Sequence, residues 1–565
     1  MGDVHFELLE GGSGFAPGGV DGSAMVAGVC SLGQIGKGYL IGKHTDVSTL
    51  LGVGPLADCV RDIIATAGDD PQLVAVPVRG RPGSYISQPM TTTSSVAATT
   101  VGAAQRNADI IATVTTPGAL GTAMLSVTID GDSPEEMISA DNIALGDTGA
   151  VLVFPENAIL EEDAEFRVIV RTAVGPVKRI GHDTSPMLAV SALDCGVLAS
   201  AELVVQIESV GGLNEGTYRL SIDGGDNFGK LRTIPVDGVA EVADYGVKLT
   251  FPDGEYAGGT NYTCNLLAPA PTIVDVMTAL ESPLELYDIE FVHVAGPSDS
   301  VAWSAMQVRS EELFGKQRPT YFRGEPRLPY DGEDLHDYVA YLLKERENFS
   351  GRFVIVCAQY GEITDASGER RLRNWAGLLS GRVMKNPVQR ASGRVKDGSI
   401  SQGTLPAGWE AVQKTLQDAG YVTAKKRPAL GVYWSAAPTM CEATSKYKRE
   451  EILRVVFKAI RKMRIAAELS MYDEAGDPLF PENGGVAFTK AEIENALSTM
   501  TTVIPKELAA YEVDIPSGQD IPNNGLTILP TLIGIPIIER ITIPTNYVIA
   551  GSNFDPRIIE QDGQK

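Results

Sequence analysis

Three short apolar runs, separated by two helical patterns, occupy residues 289–360. The runs cover residues 289–295, 319–324 and 352–358, and the segments between them space their apolar residues at helical intervals. A run that is apolar at nearly every position is typical of a strand buried on both faces. The order β-α-β-α-β therefore predicts a parallel sheet covered by helices.

A second block with the same character lies near the start of the chain. The pattern predicts strands at residues 25–30, 39–42 and 72–79, and helices at residues 47–51 and 56–67. We interpret both blocks as α/β. We expect them to form one core assembled from both ends of the chain.

From about residue 91 to residue 271 the pattern changes to short alternating runs separated by Gly, Asp, Asn and Pro, which is typical of antiparallel β structure. This region repeats itself at an offset of about 95 residues. The matching segments are 121–131 with 216–224, 149–155 with 246–252, and 165–169 with 261–265. We predict two tandem, all-β sandwiches of immunoglobulin-like size, inserted into the α/β (α+β) core.

Residues 445–471 carry the longest helical signal. One predicted apolar stripe contains Ile452, Val456, Ala459, Met463 and Ala466. The other faces are basic and contain Lys446, Lys448, Arg449, Arg454, Lys458, Arg461, Lys462 and Arg464. Two interpretations are open: a solvated surface, or a helix that docks on an acidic partner, since opposite charges steer and align an interface.

Composition excludes several classes of protein. A chain of 565 residues is too long for one core and predicts two to four domains. Its net charge of −25 argues against general nucleic-acid binding, because phosphate contacts need clustered Lys and Arg. No apolar run approaches the roughly 20 residues that span a bilayer, and the first residues lack the features of a signal peptide. We therefore expect folding in a cytoplasm and no membrane insertion.

Residues that could carry chemistry are isolated. The five histidines have no metal-binding spacing, and the six cysteines form no C-x-x-C, so we expect reduced and mostly buried thiols. Ser380 is one position out of step with a G-x-S-x-G elbow and is interpreted as a small residue at a helix contact. Two acidic pairs could bind Ca²⁺, but Asp-Gly hairpin turns are favoured; the pairs are Asp130 with Asp132 and Asp223 with Asp226. We predict no catalytic residue, no metal and no cofactor.

The chain resembles the tail sheath proteins of contractile injection machines, such as myovirus-type bacteriophages and contractile bacteriocins. Three stretches carry the resemblance: residues 25–79, 374–395 and 433–472. The resemblance implies a structural subunit that polymerises helically around an inner tube and contracts to drive the tube through the target cell envelope. It also implies stacked, hexameric rings of this chain, with tail tube, baseplate and tail terminator proteins as partners. The expected location is the virion tail, assembled in the bacterial host cytoplasm.

The resemblance also implies roles for particular residues. Terminal arms of such subunits extend neighbouring subunits' sheets, and the candidates here are Val4, Phe6, Leu8, Ile541, Ile543, Tyr547 and Ile549. The basic helix is similar in place to the family's tube-facing helix, so the tube-facing candidates are Lys446, Lys448, Arg449, Arg454, Lys458, Arg461 and Lys462. Reversal of Lys458 and Arg461 to Glu should then impair assembly on tubes and leave the subunit folded.

The predicted domain order follows from these assignments. The ranges are an N-terminal arm at 1–22, core at 23–90, β-sandwiches at 91–190 and 191–272, core at 273–535, and a C-terminal arm at 536–565. Two other classes stay open. One is an enzyme whose α/β core carries carbohydrate-binding β-sandwiches, which a hydrolase screen would detect, and the other is a surface adhesin or fibre.

Overall fold

The first elements of the chain belong to an α/β core. The computed structural model describes residues 19–550 and 552, apart from 92, 93, 95, 183, 331, 367 and 477–483. The first elements are β1 (Ala24–Val29), β2 (Tyr39–Ile41), α1 (Val47–Leu51), α2 (Pro55–Thr66) and β3 (Leu73–Val78). Every residue of β1 and β3 is buried, as their unbroken apolar sequences require.

A first β region follows. Its strands are β4 (Gly80–Arg81), β5 (Tyr85–Ile86), β6 (Thr99–Gly102), β7 (Ala108–Thr116), β8 (Gly118–Ala119), β9 (Met124–Ile129), β10 (Glu135–Ile138), β11 (Asn142–Ala144), β12 (Ala150–Val153), β13 (Ile159–Leu160) and β14 (Glu165–Arg171). A five-stranded sheet in the order β10-β9-β7-β14-β5 and a three-stranded sheet in the order β11-β12-β6 share one apolar cluster.

The second β region repeats this arrangement. Its strands are β15 (Lys178–Ile180), β16 (Ala189–Ala192), β17 (Ala201–Ser209), β18 (Thr217–Ser221), β19 (Arg232–Thr233), β20 (Val239–Val242), β21 (Val247–Thr250) and β22 (Asn261–Leu266), with a 3₁₀ turn at Ala243–Tyr245. The sheet orders are β15-β22-β17-β18-β19 and β16-β21-β20. The matched segments of the sequence fall on β9 and β18, on β12 and β21, and on β14 and β22, which hold equivalent places in the two regions.

Both β regions begin earlier than the sequence pattern indicates. β5 lies before residue 91 and β15 lies before residue 191, yet each is the edge strand of its five-stranded sheet. These strands have only two or three residues, so they carry no alternating pattern that a sequence reading could detect.

The chain returns to the core through β23 (Ala270–Pro271). β23 pairs with β4, and Pro271 lies opposite Gly80, so the inserted regions begin and end at adjacent points. The next elements are α3 (Ile273–Leu286), β24 (Phe291–Pro297), α4 (Ser300–Gly315), β25 (Tyr321–Glu325), α5 (Leu335–Glu347) and β26 (Val354–Val356). They confirm the predicted β-α-β-α-β order.

One six-stranded sheet joins the two parts of the core, in the order β2-β3-β1-β24-β25-β26. β1 lies between β3 and β24 and is parallel to both, with Ala24 opposite Leu73 on one side and Phe291 on the other. The core sheet therefore combines strands that precede the inserted regions in the sequence with strands that follow them.

The remaining elements follow β26 in the chain. They are β27 (Tyr360–Thr364), β28 (Arg370–Asn374), α6 (Ala376–Lys385), a 3₁₀ turn (Val395–Asp397), β29 (Gly403–Thr404), α7 (Trp409–Asp418), β30 (Ala424–Arg427), β31 (Gly431–Trp434), α8 (Glu450–Glu468), α9 (Gly485–Thr502), β32 (Ala510–Asp514), α10 (Ile521–Asn524) and β33 (Leu529–Ile533). None of the described helices is both long and apolar enough to cross a membrane.

α8 packs on two sides, which corrects the predicted single apolar stripe. Leu453 and Phe457 join the apolar cluster on one face of the core sheet, whereas Val455 and Ala459 join a separate cluster with α9 and β32. A helix enclosed from two sides must bury polar positions too. As a result, some basic residues of α8 are buried and do not face solvent.

Candidate assembly site at the chain ends

α8 contacts residues near both ends of the described chain. Arg454 and Lys458 lie one turn apart and so project from the same face of the helix. Arg454 Nε lies 2.5 Å from Glu290 Oε1, and the Gly22 amide donates to the other carboxylate oxygen of Glu290 at 2.5 Å. Lys458 Nζ lies 2.5 Å from Asp21 Oδ2. Asp21 is therefore bound directly by α8, and Gly22 is linked to α8 through Glu290.

Gly22 must be glycine for this contact. Its φ is +76°, and a Cβ atom there would lie 2.5 Å from the Met384 carbonyl oxygen. A side chain would be strained by the backbone conformation and would also clash with a backbone atom. The place where residues 1–18 join the core is therefore fixed tightly.

The Glu290–Arg454 pair is buried. Burial alone would raise the pKa of Glu290, but the charge and hydrogen bonds of Arg454 outweigh it and lower that pKa. The pair is therefore ionised, and removal of either partner would leave a buried charge uncompensated.

Lys458 has a second carboxylate partner from the other chain end. Its Nζ lies 2.6 Å from Glu507 Oε1, just before β32. Burial favours the neutral amine, but Asp21 and Glu507 outweigh that effect and raise the pKa of Lys458. One ammonium group thus joins the N-terminal attachment point to the C-terminal hairpin.

The C-terminal hairpin has free edges. β32 and β33 form a two-stranded sheet, with Ala510 opposite Ile533 and Asp514 opposite Leu529. Within the described chain neither strand pairs with any third strand. An unpaired strand edge presents N–H and C=O groups that can pair with another chain.

An extended segment follows the hairpin. Residues 534–548 make no backbone hydrogen bond to any other described residue. Their large apolar side chains are mostly exposed, Tyr547 to 87% of its surface, and the strongly exposed set is Ile538, Ile541, Ile543, Tyr547 and Ile549. Exposed isoleucines beside unpaired backbone groups are typical of a segment that becomes a strand in an assembly.

The start of this segment is attached to α8. Arg449 forms an ion pair with Glu539. A cavity of about 290 Å³ lies between α8, the end of β33 and residues 534–537, and its apolar lining includes Ile452, Val456 and Leu532.

The structure separates the predicted tube-facing residues into three groups. Lys446 and Lys448 are exposed in the loop before α8, and Lys462 is half-buried on the helix. Arg449 and Lys458 are paired as described. Arg454 and Arg461 are buried.

The prediction that Arg454 and Arg461 face a partner is therefore wrong. Arg461 donates to the carbonyl oxygens of Ile289, at 2.8 Å, and Pro319. The sequence analysis placed every cation on a face open to solvent or to a partner, because it assumed one apolar side. A single acid, Glu290, next to the buried β24 run was the signal for a buried counter-charge.

The predicted arm residues differ in what the structure describes. Ile541, Ile543, Tyr547 and Ile549 are exposed. Val4, Phe6 and Leu8 lie outside the described residues.

A buried polar chain that sequence reasoning missed crosses the core. His293 Nε2 lies 2.8 Å from Glu325 Oε1, and His293 Nδ1 lies 3.1 Å from Ser380 Oγ. Arg323 donates to Ser380 Oγ at 2.5 Å and pairs with Glu450. Ser380 is thus a bridging residue and more than the small contact residue predicted.

This polar chain suits structure better than chemistry. Ser380 and His293 are fully buried, and Arg323 already occupies the serine oxygen that a nucleophile would need free. Cys59, His293 and Glu325 bring ligand atoms within 4.8 Å of one another. Burial above all, together with Glu325, raises the pKa of the Cys59 thiol well above its usual value, so this buried thiol is protonated at neutral pH.

The acidic pairs of the β regions form turns. Asp130 and Gly131 both have positive φ, 54° and 79°, and the Asp132 amide donates to Ile129 O, as in an Asp-Gly hairpin turn. Asp130 also pairs with Arg106. In the second region Asp226 pairs with Arg370 of the core. The turn interpretation is confirmed for Asp130.

The fold and this site define a class of protein: an α/β core with inserted β regions, whose C-terminal end exposes strand edges and apolar residues. The chain belongs to the DUF2586 family. The model of the family's N-terminal domain matches residues 1–438, and that of its C-terminal domain matches residues 446–552. Among curated proteins, none matches the chain.

Several solved structures to which the chain is similar are sheath proteins. The sheath tail protein of Desulfitobacterium hafniense is 11% identical, with a TM-score of 0.43 over 94% of this chain and 100% of that chain. The sheath tail protein of Listeria innocua is 10% identical, with a TM-score of 0.39 over 91% and 96% of the two chains. The contracted helical sheath of the anti-feeding prophage is 14% identical, with a TM-score of 0.36 over 51% of this chain and 78% of that chain.

Proposed function

We propose that this chain is the repeating subunit of a contractile tail sheath. The observation that supports this most strongly is the C-terminal segment 534–549, where exposed apolar residues accompany unpaired backbone next to a hairpin with free edges. Such a segment is costly for a protein that acts alone, because it invites association.

In this proposal the arms exchange strands between copies. Ile541, Ile543, Tyr547 and Ile549 add a strand to a neighbour's β32–β33 hairpin, and Val4, Phe6 and Leu8 act in the same way at the other end. Backbone hydrogen bonds supply the adhesion, while alternate side chains enter apolar pockets. Copies joined in this way stay attached while they rotate against each other.

The tube contact in this proposal uses only the cations that are at least partly exposed and form no ion pair within the described chain. Lys446, Lys448 and the half-buried Lys462 remain candidates. Contacts of this exposed kind contribute roughly 0–1 kcal/mol each, so they permit release during contraction.

The finer features follow the same proposal. The two inserted β regions, which contain β5–β14 and β15–β22, are immunoglobulin-like sandwiches within the core, and the arms are residues 1–22 and 536–565. Copies stack as hexameric rings around a tail tube protein, between a baseplate and a tail terminator. The particle is a virion tail assembled in the bacterial host cytoplasm, and the subunit is not an enzyme.

Negative-stain electron microscopy of the concentrated full chain tests the proposal. We expect hollow sleeves or stacked rings of regular diameter from the full chain and none from a chain that ends at Gly534. The shortened chain should keep its fold, because residues 535–548 contribute no backbone hydrogen bond to the described core. Equal assembly by both chains would contradict the role of the C-terminal arm, and uniform small particles together with hydrolase activity would favour the enzyme alternative.

A further inference from the structure

Two distant segments of the chain bring several cations together. Lys385 is the last residue of α6, Arg390, Arg394 and Lys396 follow that helix, and Lys425, Lys426 and Arg427 lie on β30. The segments are neighbours, because the Ile400 amide donates to Val432 O at 2.8 Å and Val432 lies opposite Lys426 in the β30–β31 pair. We call these seven residues the basic loop surface.

Asp397 is the acid that pairs with two arginines of this surface. Asp397 is the only acidic residue between positions 376 and 409. Its carboxylate lies 3.0 Å from Arg394 Nη1 and 3.6 Å from Arg390 Nη1, and Arg382 donates to its carbonyl oxygen at 2.7 Å. In contrast, Lys396, Lys425 and Lys426 form no ion pair with another described residue.

The first β region carries an exposed acidic surface. Asp132, Glu135 and Glu136 are exposed on the β9–β10 turn and on β10, the edge strand of its sheet. They too form no ion pair within the described chain. Residues 96–272 contain 24 Asp and Glu against 9 Lys and Arg, so the insertion carries a net negative charge.

We infer that the basic loop surface of one copy binds the acidic β9–β10 edge of a second copy. Solvated charged surfaces are common and need no partner. Here, however, a positive surface persists on a chain of net charge −25, and the matching carboxylates lie elsewhere on the same molecule. Complementary patches at two different places make a head-to-tail contact, which propagates as a helix if it does not close into a ring.

The expected contact is electrostatic and therefore sensitive to salt. Each exposed pair contributes roughly 0.2–1 kcal/mol, and screening shortens the reach of such charges to about 10 Å at 0.1 M salt. The contact would guide the register of copies that the arms hold together, because charge complementarity supplies specificity more than affinity. This inference rests on the proposed self-assembly.

The test compares charge reversals in the full chain by sedimentation velocity and negative-stain microscopy at about 0.05 M and about 0.5 M salt. The variant K396E/K426E reverses two exposed lysines of the basic loop surface. The matched control K230E/K248E makes the same charge change on exposed lysines of the second β region. We expect K396E/K426E to need at least about tenfold more protein to assemble at low salt, and the control to behave as the wild type.

A charge swap completes the test. D132K/E135K should weaken assembly alone and restore it when combined with K396E/K426E. Assembly of K396E/K426E at the wild-type concentration, or equal losses in K396E/K426E and K230E/K248E, would overturn the pairing and leave the proposed function intact. A wild-type chain that never assembles would contradict both.

Discussion

Arg454 shows how much a single buried ion pair can matter. Its side chain is 2% exposed and pairs with Glu290, which is 1% exposed. We expect Arg454→Met to destabilise the core by about 3–5 kcal/mol, because the Glu290 carboxylate stays buried without its partner. The measurement is thermal unfolding, with Lys446→Met as control. Lys446 is exposed, so its change should stay within about 0.5 kcal/mol. Similar effects of the two variants would contradict this account.

Asp62 predicts a dependence of stability on pH. It lies 3.1 Å from Arg373, yet burial raises its pKa from 3.8 to about 7. Between these values the folded chain holds a proton that the unfolded chain has lost. The stabilisation from this group is therefore complete below about pH 4 and lost as pH rises through about 7, by at most about 1.4 kcal/mol per pH unit.

Asp62→Asn removes this titration. The thermal midpoint of the variant minus that of the wild type should increase between pH 5 and pH 8. Each kcal/mol of stability that the wild type loses should add on the order of 2 °C to this difference. A constant difference over that range would show that Asp62 does not titrate there.

Individual side chains were the part least accessible from the sequence. The type of each residue in α8 was plain, but the choice between solvent and a buried partner depended on which strand lay beside it. Glu290 and Arg454 are 164 positions apart, and Ser380 and His293 are 87 apart. No local pattern connects such pairs.

At the scale of elements, sequence patterns performed better. The buried strands β1, β3, β24 and β26 were predicted because apolar runs of that length have few alternatives. β5 and β15 were missed because they are two and three residues long and owe their strand form to the sheet they join. Tertiary contacts decide such short elements.

Lys458 couples two elements that are remote in sequence. In Lys458→Met the carboxylates of Asp21 and Glu507 lose their shared cation and repel each other. We expect amide hydrogen exchange to rise about tenfold or more, equivalent to about 1.4 kcal/mol, in residues 19–24 and in residues 505–514 alike. Lys490→Met, which removes an exposed pair with Glu494 on α9, is the control and should leave both segments unchanged. A change confined to one segment would contradict the coupling.

The whole molecule is organised as a core from which the β regions can be separated. The two apolar clusters on the faces of the core sheet contain no residue from 82 to 269. Arg81 and Ala270 are paired neighbours at the point of insertion. A repeat in the sequence predicted the insertion, but only the β4–β23 pair shows how close its two ends lie.

This arrangement predicts that the core folds without its inserts. A chain in which Arg81 is joined to Ala270 by Asn-Gly, a favoured two-residue hairpin turn, should unfold cooperatively, with native near-UV circular dichroism. Its thermal midpoint should fall modestly, because contacts such as Arg370 with Asp226 are lost. An aggregated or non-cooperative product would mean that the inserts are needed for the core to fold.

The shared lysine on α8 has a mechanical consequence. A tension applied to the N-terminal arm would reach the core at Asp21. The Lys458 ammonium group, which pairs with both Asp21 and Glu507, would transmit it to Glu507. The load therefore crosses from one end of the chain to the other through a few ångströms of space, while the covalent path between those residues runs through nearly the entire polypeptide. In a lattice of such subunits, a pull received from one neighbour would pass to the next with little deformation of the core between them.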